Sequence, residues 1–134
     1  NGVKADILSF YHYTENVNYF ITYLDNKQYK QHNTLYPKKE NGMKKYLGGC
    51  TEHLNIRTSP VTERKLLIVG DTTAVSYLPF LANHYSEIDF INVNSAFDYK
   101  KVDYTDYDQI LVAVGIENFI NSRDVASALT QLGG

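Results

Sequence analysis

The sequence predicts an α/β domain: a three-layer α/β/α arrangement of a mainly parallel sheet, with an irregular, β-containing N-terminal part. Two observations predict it. Over residues 65–132, short apolar runs alternate with helical patterns, which favours parallel strands joined by right-handed crossovers. Residues 1–60, in contrast, are rich in tyrosine and irregular. With 134 residues, of which 43% are hydrophobic, the chain is long enough to bury a core, and residues 1–134 are predicted to form one domain.

The first half is predicted to supply strands and one short helix. Ile7–Tyr13 and Tyr19–Leu24 are rich in aromatic and branched residues and are separated by a polar turn, which favours a hairpin or two neighbouring strands. A helical stretch is predicted from Tyr36 to Gly48, where the glycine is placed to end it. His53–Arg57 is predicted to be a further strand.

The second half is predicted to contain three strands and two helices. The strands are apolar without alternation, as in strands covered on both faces: Leu66–Val69, Ile88–Val93 and Gln109–Val114. Apolar residues at helical spacing predict a helix from Thr73 to Tyr85, bent at Pro79, and a second from Phe119 to Leu132. Because strands and helices alternate, helices are expected on both faces of the sheet.

Composition and charge exclude several classes of protein. Thirteen basic and fifteen acidic side chains give a net charge of −2, so the chain lacks the broad basic field that holds a nucleic-acid backbone. No run of 18 apolar residues occurs, and no membrane span is expected in this chain. Because the sequence begins at Asn1 without a leader or an initiator Met, it is interpreted as a processed product or an excised piece, and we expect it to be the C-terminal part of a longer protein.

Neither a metal nor a cofactor is expected. The single Cys50 excludes an intramolecular disulfide framework and a four-cysteine zinc site, and it is interpreted as a buried thiol. The four histidines lie at least twenty residues apart, and no glycine-rich phosphate loop follows a strand. Aspartates and tyrosines alternate between Asp98 and Asp108. A solvated connection is the simpler interpretation of that loop, and a sugar-contacting or calcium-binding surface is the alternative.

Ligands of open parallel sheets collect beyond the carboxyl ends of the strands. Three loops are therefore candidates: Gly70–Thr73, Asn94–Ala96 and Gly115–Asn118. In the first of them, Thr72 or Thr73 can cap the helix that comes next, and free N–H groups at the helix start would attract an anion or a developing oxyanion. The simpler alternative is a helix cap with an aspartate nearby.

The first of these loops carries a resemblance to a known family. Lys65–Thr72 looks like the first block of the SGNH (GDSL-type) hydrolases, in which a strand ends in Gly-Asp-Ser and the serine is the nucleophile. The longer combination of Tyr46–Gly49, Gly70–Thr72 and Leu78–Ile88 is similar to the DHHW family, an SGNH-like branch of bacterial proteins that are largely secreted or at the cell surface. The resemblance covers roughly residues 17–120.

The resemblance implies a fold with flavodoxin-like layering and a role for each residue of the loops. It implies that Thr72 occupies the nucleophile position and that Asp71 orients the loop. The amides of Thr72 and Thr73 would form an oxyanion pocket, with Asn118 as a second donor and Asn94 as a further ligand-binding residue. The substrates implied are ester-linked acyl groups of cell-envelope carbohydrate.

The sequence also departs from the family pattern. Thr72 replaces the serine, and its extra methyl group stiffens the side chain and crowds attack. Asn92 and Asn94 stand where an aspartate and an arginine are expected. The Asp-His-His-Trp segment is absent, because the chain contains no Trp. These departures predict a degenerate site.

A nucleophilic hydroxyl needs a base within hydrogen-bonding reach. No histidine follows His84, and twelve helical residues place His84 about 18 Å from Thr72, so His84 is interpreted as structural. The other histidines lie in the first half of the chain: His12, His32 and His53.

Two functions are compatible with these observations. The favoured one is a non-catalytic or weakly active SGNH-like domain of a bacterial cell-surface or secreted protein, with carbohydrate or an acyl ester as its partner. The alternative is an esterase or O-acyltransferase that uses Thr72. A cytoplasmic location stays open.

Overall fold

The computed structural model describes residues 18–25, 28–35, 52–59, 63–95, 97–98, 101–121, 126–127 and 129–131. These ranges contain the strands β1 (Tyr19–Asp25), β2 (Gln28–His32), β3 (His53–Thr58), β4 (Lys65–Gly70), β5 (Glu87–Asn92) and β6 (Gln109–Ala113). They also contain the helices α1 (Thr72–Val75), α2 (Leu78–Leu81) and α3 (Ile116–Asn121), and a 3₁₀ turn at Tyr104–Asp106. No helix in these ranges is long and apolar enough to cross a membrane.

The strands form one mixed sheet in the order β2-β1-β3-β5-β4-β6. The β1–β2, β1–β3 and β3–β5 pairs are antiparallel, whereas β4 pairs in parallel with both β5 and β6. The predicted three-layer α/β/α class with a mainly parallel sheet is therefore wrong. The described helices are four to six residues long and cannot form two layers, and the tyrosine-rich first half extends the sheet with antiparallel strands.

Most of the predicted strands are confirmed, within one or two residues, as β1, β3, β4, β5 and β6. The strand β2 was not predicted, because its sequence Gln-Tyr-Lys-Gln-His lacks an apolar pattern. The strand β2 pairs with β1, whereas the prediction placed Ile7–Tyr13 beside β1 in a hairpin or as a neighbouring strand. Ile7–Tyr13 lies outside the described residues. The helix predicted from Tyr36 to Gly48, Cys50 and the division into one domain are likewise untested and remain predictions.

The helix predicted from Thr73 to Tyr85 is two short helices, and this correction has a local cause. Pro79 lies in the first turn of α2 and has no N–H to donate to the preceding turn. The chain therefore breaks after Val75 and begins a new helix at Leu78. The second predicted helix begins at Ile116, three residues early. Helical backbone recurs at residues 126–127 and 129–131.

Two apolar clusters lie on opposite faces of the sheet, because neighbouring residues of β4 point in opposite directions. Leu66 and Ile68 pack with α1, α2 and the inward side chains of β1 and β3. Leu67 and Val69 face the other way, and partly buried apolar and aromatic side chains cover them: Phe97, Val102, Tyr104 and Tyr107 from the loop after β5, and Val114 from just after the end of β6. The acidic aromatic loop thus packs on the sheet and is more than a solvated connection.

The strand β6 departs from its prediction. Its apolar run indicated a strand covered on both faces, but Ile110, Leu111 and Val112 are 41–47% exposed. The strand lies at an edge of the sheet, beside β4. The apolar run therefore predicted the strand correctly, but the prediction that both faces of this strand are covered is wrong.

Candidate functional site

The turn after β4 is held tightly at the carboxyl end of the sheet. Gly70 accepts a hydrogen bond from the Val93 N–H at 2.9 Å, and the Asp71 N–H donates to the Ala113 carbonyl at 3.2 Å. A Cβ atom on Gly70 would lie 2.6 Å from the Ala113 oxygen and 2.7 Å from the Cβ of Ala74. Only glycine lets β4, β6 and α1 approach this closely, so the position of the turn is fixed by packing.

Asp71 ties this turn to the loop after β6. Its side chain is fully buried and accepts hydrogen bonds from the Thr73 N–H at 2.9 Å, the Gly115 N–H at 2.7 Å and Asn118 Nδ2 at 2.6 Å. Burial raises the pKa of Asp71, but the hydrogen bonds from Asn118, Gly115 and Thr73 outweigh it and hold the pKa below its ordinary value. Asp71 is therefore an ionised anchor between two loops.

The two threonines of the turn are exposed, but their amides differ. The Thr73 N–H donates to Asp71 Oδ1, so the amide available to an anion is that of Thr72. Within the part of the chain that the structure describes, no imidazole is hydrogen-bonded to the Thr72 hydroxyl. The oxyanion pocket and the nucleophile position stay predictions. Because the Thr73 N–H is hydrogen-bonded to Asp71, Thr72 is the residue of the turn that remains a candidate for both roles.

The structure brings together some of the predicted site residues and separates others. Asn118 and Thr73 both donate to the Asp71 carboxylate, so the three form one cluster. Asn94 is exposed in the turn after β5, where its N–H donates to Asn92 Oδ1 at 3.0 Å. Since Asn92 is the register partner of Gly70, Asn94 lies at the same end of the sheet without a hydrogen bond to the cluster.

Sequence reasoning missed a second polar cluster, around His53 and Asp89. His53 Nε2 is 2.9 Å from Asp89 Oδ1, the Tyr107 hydroxyl donates to Asp89 Oδ2 at 2.8 Å, and Asn55 Nδ2 donates to Asp89 Oδ1 at 3.0 Å. Asp89 is buried. One signal was present in the sequence, namely an aspartate inside the apolar run of β5.

The charges of this second cluster are stabilised by hydrogen bonds. Burial raises the pKa of Asp89, but hydrogen bonds from His53, Asn55 and Tyr107 outweigh it, and the pKa lies below its ordinary value. Burial and the Asp89 carboxylate raise the pKa of Tyr107. Asp89 is therefore an anion and Tyr107 a neutral donor near neutral pH.

Neither His53 nor His84 is hydrogen-bonded to Thr72. His53 begins β3, which is antiparallel to β5, so His53 lies at the same end of the sheet as Thr72 but two strands away, about 10 Å laterally. His84 is exposed after α2, and its N–H donates to the Leu81 carbonyl. Among the described residues, no group of three or more His, Cys, Asp or Glu could hold a metal ion.

The chain is similar in fold to several solved structures. It matches no family model and no curated protein. Among solved structures, a DHHW family protein from Eubacterium siraeum is 16% identical with a TM-score of 0.67, over 81% of this chain and 39% of that one. Bacillus cereus PatB1 is 15% identical with a TM-score of 0.59, over 74% and 36% of the two chains. PatB1 with a sulfonyl adduct is 16% identical with a TM-score of 0.59, over 74% and 38%.

The similarity to these solved structures extends to the fold and to part of each chain. At 15–16% identity, it shows a shared fold. The chain spans less than two fifths of the length of each of these structures. The resemblance of its motifs to the DHHW family is thus supported at the level of the fold.

Proposed function

We propose that this chain carries the acyl-binding part of an SGNH-like site, and that the chain by itself binds an acyl ester at Thr72 with little or no turnover. The observation that carries the proposal is the buried Asp71 anchor, which fixes the turn after β4 against the loop after β6. A turn held from both sides keeps the Thr72 amide and hydroxyl at one exposed place at the end of the sheet, and such preorganised donors favour a carbonyl oxygen.

The chemical setting that we propose is an acyl group carried on carbohydrate of the bacterial cell envelope, in a secreted or cell-surface protein. The similarity in fold to a DHHW family protein and to PatB1 supports an acyl-related role. The non-catalytic part of the proposal rests on two features of Thr72. Its β-branched side chain crowds attack, and the described residues supply no base in hydrogen-bonding contact with it.

Ester hydrolysis or acyl transfer at Thr72 is the second candidate. Its hydroxyl is exposed at the strand end, and one of the similar structures is PatB1 with a sulfonyl adduct. A sulfonyl fluoride is therefore a suitable probe, since it labels activated hydroxyl groups. Both candidates place the ester against the same turn, but they differ in whether Thr72 turns it over. Variants of Thr72 therefore distinguish them.

The test combines binding and turnover in the whole chain. Methyl butyrate, a simple ester, is titrated against the labelled protein, and we expect NMR shifts at the amides of Thr72 and Asn118. Hydrolysis of p-nitrophenyl butyrate is expected to be the same for the wild type and for Thr72→Ala. Turnover in the wild type that Thr72→Ala abolishes would establish the second candidate instead.

Labelling by phenylmethylsulfonyl fluoride, read by intact mass and peptide mapping, adds a second readout. The less hindered Thr72→Ser variant is expected to stay unlabelled, like the matched control Thr73→Ser, because none of the described residues supplies a base in contact with residue 72 to activate its hydroxyl. Label at position 72 alone would support the second candidate, whereas no such label together with no NMR shift around Thr72 would contradict both candidates.

A further inference from the structure

The antiparallel half of the sheet has a polar face that contains an open cleft of about 400 Å³. One row of side chains crosses it from strand to strand: Gln31 on β2, Thr22 on β1, Asn55 on β3 and Asp89 on β5 are successive register partners. All four line the cleft. A volume of this size suits a small molecule, and the cleft uses none of the side chains of the turn at Thr72.

The side chains of Asn55 and Arg57 hold the carboxylate of Glu87 in a fixed orientation. Asn55 Nδ2 donates to Glu87 Oε1 at 2.9 Å, and Arg57 Nε donates to the same oxygen at 3.0 Å. Burial raises the pKa of Glu87, but hydrogen bonds from Asn55 and Arg57 outweigh it and keep the carboxylate ionised. Since Asp89 is also held by several donors, both carboxylates are oriented before any ligand arrives, which lowers the entropic cost of binding.

Two cations beside the cleft offset its two carboxylates, Glu87 and Asp89. Glu87 pairs with Arg57 Nε at 3.0 Å and with Lys65 Nζ at 3.5 Å. Neighbouring opposite charges leave no strong field of one sign, so the cleft does not favour a strongly charged ligand. Its oriented carboxylates and amides instead match a ligand whose groups both donate and accept hydrogen bonds, as hydroxyls do.

The apolar contribution comes from Phe20. It is the register partner of Arg57, lines the cleft and is 51% exposed. A single exposed aromatic ring is ordinary on a protein surface, but this one adjoins a set of fixed hydrogen-bonding groups. A flat apolar face beside polar groups complements a sugar ring, which presents C–H groups on its face and hydroxyls at its edge.

We propose that this cleft on the β1, β3 and β5 face binds a short neutral saccharide. The proposal goes beyond the acyl site, because the ligand contacts different side chains on a different part of the sheet. It accounts for three features together: the exposed Phe20 ring, the oriented acceptors Glu87 and Asp89, and the balance of charge around them.

The test is an NMR titration of the whole labelled chain with cellotriose, maltotriose and triacetylchitotriose. We expect at least one trisaccharide to shift amides of β1 and β3, and Phe20→Ala to weaken that binding at least tenfold. Phe80→Ala is the matched control, since Phe80 on α2 is 66% exposed and lies outside the cleft. It is expected to leave the dissociation constant unchanged.

Three results would overturn the proposal. One is the absence of shifts with all three sugars at concentrations of tens of millimolar. Another is a set of shifts confined to residues around Thr72, which would assign the sugar to the acyl site. The third is binding of trilysine in the cleft with no binding of any sugar, which would show that the carboxylates recognise a cation. Both Phe20 and Phe80 are exposed, so neither alanine variant is expected to unfold the chain.

Discussion

The antiparallel and parallel halves of the sheet differ in how their side chains are buried. In β3, inward Leu54 and Ile56 are buried, while residues pointing the other way, such as Asn55, remain partly exposed. In β4, five consecutive residues are buried, as is usual for a parallel strand covered on both faces. Among the described residues, the antiparallel half therefore has a partly exposed polar face that forms a cleft, whereas the parallel half offers polar groups mainly where its strands end.

The largest effect should come from the covered strand of the parallel half. Leu67→Ala on β4 removes a fully buried side chain and is expected to lower the free energy of unfolding by about 2 to 5 kcal/mol. Leu111→Ala, the same substitution on the adjacent strand β6, acts on a side chain that is 42% exposed. It should cost about 1 kcal/mol or less. Urea unfolding of both variants measures the difference.

Equal losses for the two leucines would contradict this description of β6. They would mean that β6 is covered in solution as fully as β4. The two halves of the sheet would then differ only in their pattern of burial, which alternates in β3 and is continuous in β4.

The same strands show how far the sequence predicts the fold. Four apolar residues in a row identified Leu66–Val69 as a strand correctly, because a buried strand needs that pattern in any sheet. The same pattern in Gln109–Val114 identified β6 but not its position at an edge, since the run carries no information about neighbours. Pairing of β1 with β2 depends on a polar strand that has no periodic signal.

The candidate site was predictable in its local part only. Gly70 and Asp71 follow a strand directly, so their place at a sheet end could be read from the sequence. The contacts of Asp71 with Gly115 and Asn118 span 44 and 47 residues, and only the register of β4 with β6 creates them. The contact between His53 and Asp89, 36 residues apart, was missed for the same reason: it depends on the pairing of β3 with β5.

The close approach at the end of β4 gives the next effect in size. Gly70→Ala places a Cβ atom 2.6 Å from a backbone oxygen that cannot easily move. Overpacking of this kind costs about 1 to 3 kcal/mol, and we expect the upper end of that range. In Gly115→Ala the nearest atom is the Asp71 Oδ2 at 3.1 Å, so a smaller loss is expected. Thermal unfolding ranks the two variants, and the reverse ranking would contradict the packing described for the turn.

The smallest effect should be one that depends on pH. Asp71→Asn replaces an oxygen that accepts from Gly115 and Asn118 with either a poorer acceptor or a donor, at a cost of about 1 to 2 kcal/mol near neutral pH. Hydrogen bonds hold the pKa of Asp71 below its ordinary value of 3.8. Its stabilisation is therefore fully present above about pH 4 and is lost as the pH falls through the lower pKa of the folded state.

The difference in unfolding free energy between wild type and Asp71→Asn should accordingly stay constant from pH 7 to about 5 and shrink only in stronger acid. Asp106→Asn, at an exposed aspartate of the 3₁₀ turn, is the control and should change stability little at any pH. A difference that already shrinks between pH 6 and 5 would mean that burial, which raises the pKa of Asp71, outweighs its three donors. The turn that presents Thr72 would then be held by packing around Gly70 rather than by an ionised anchor.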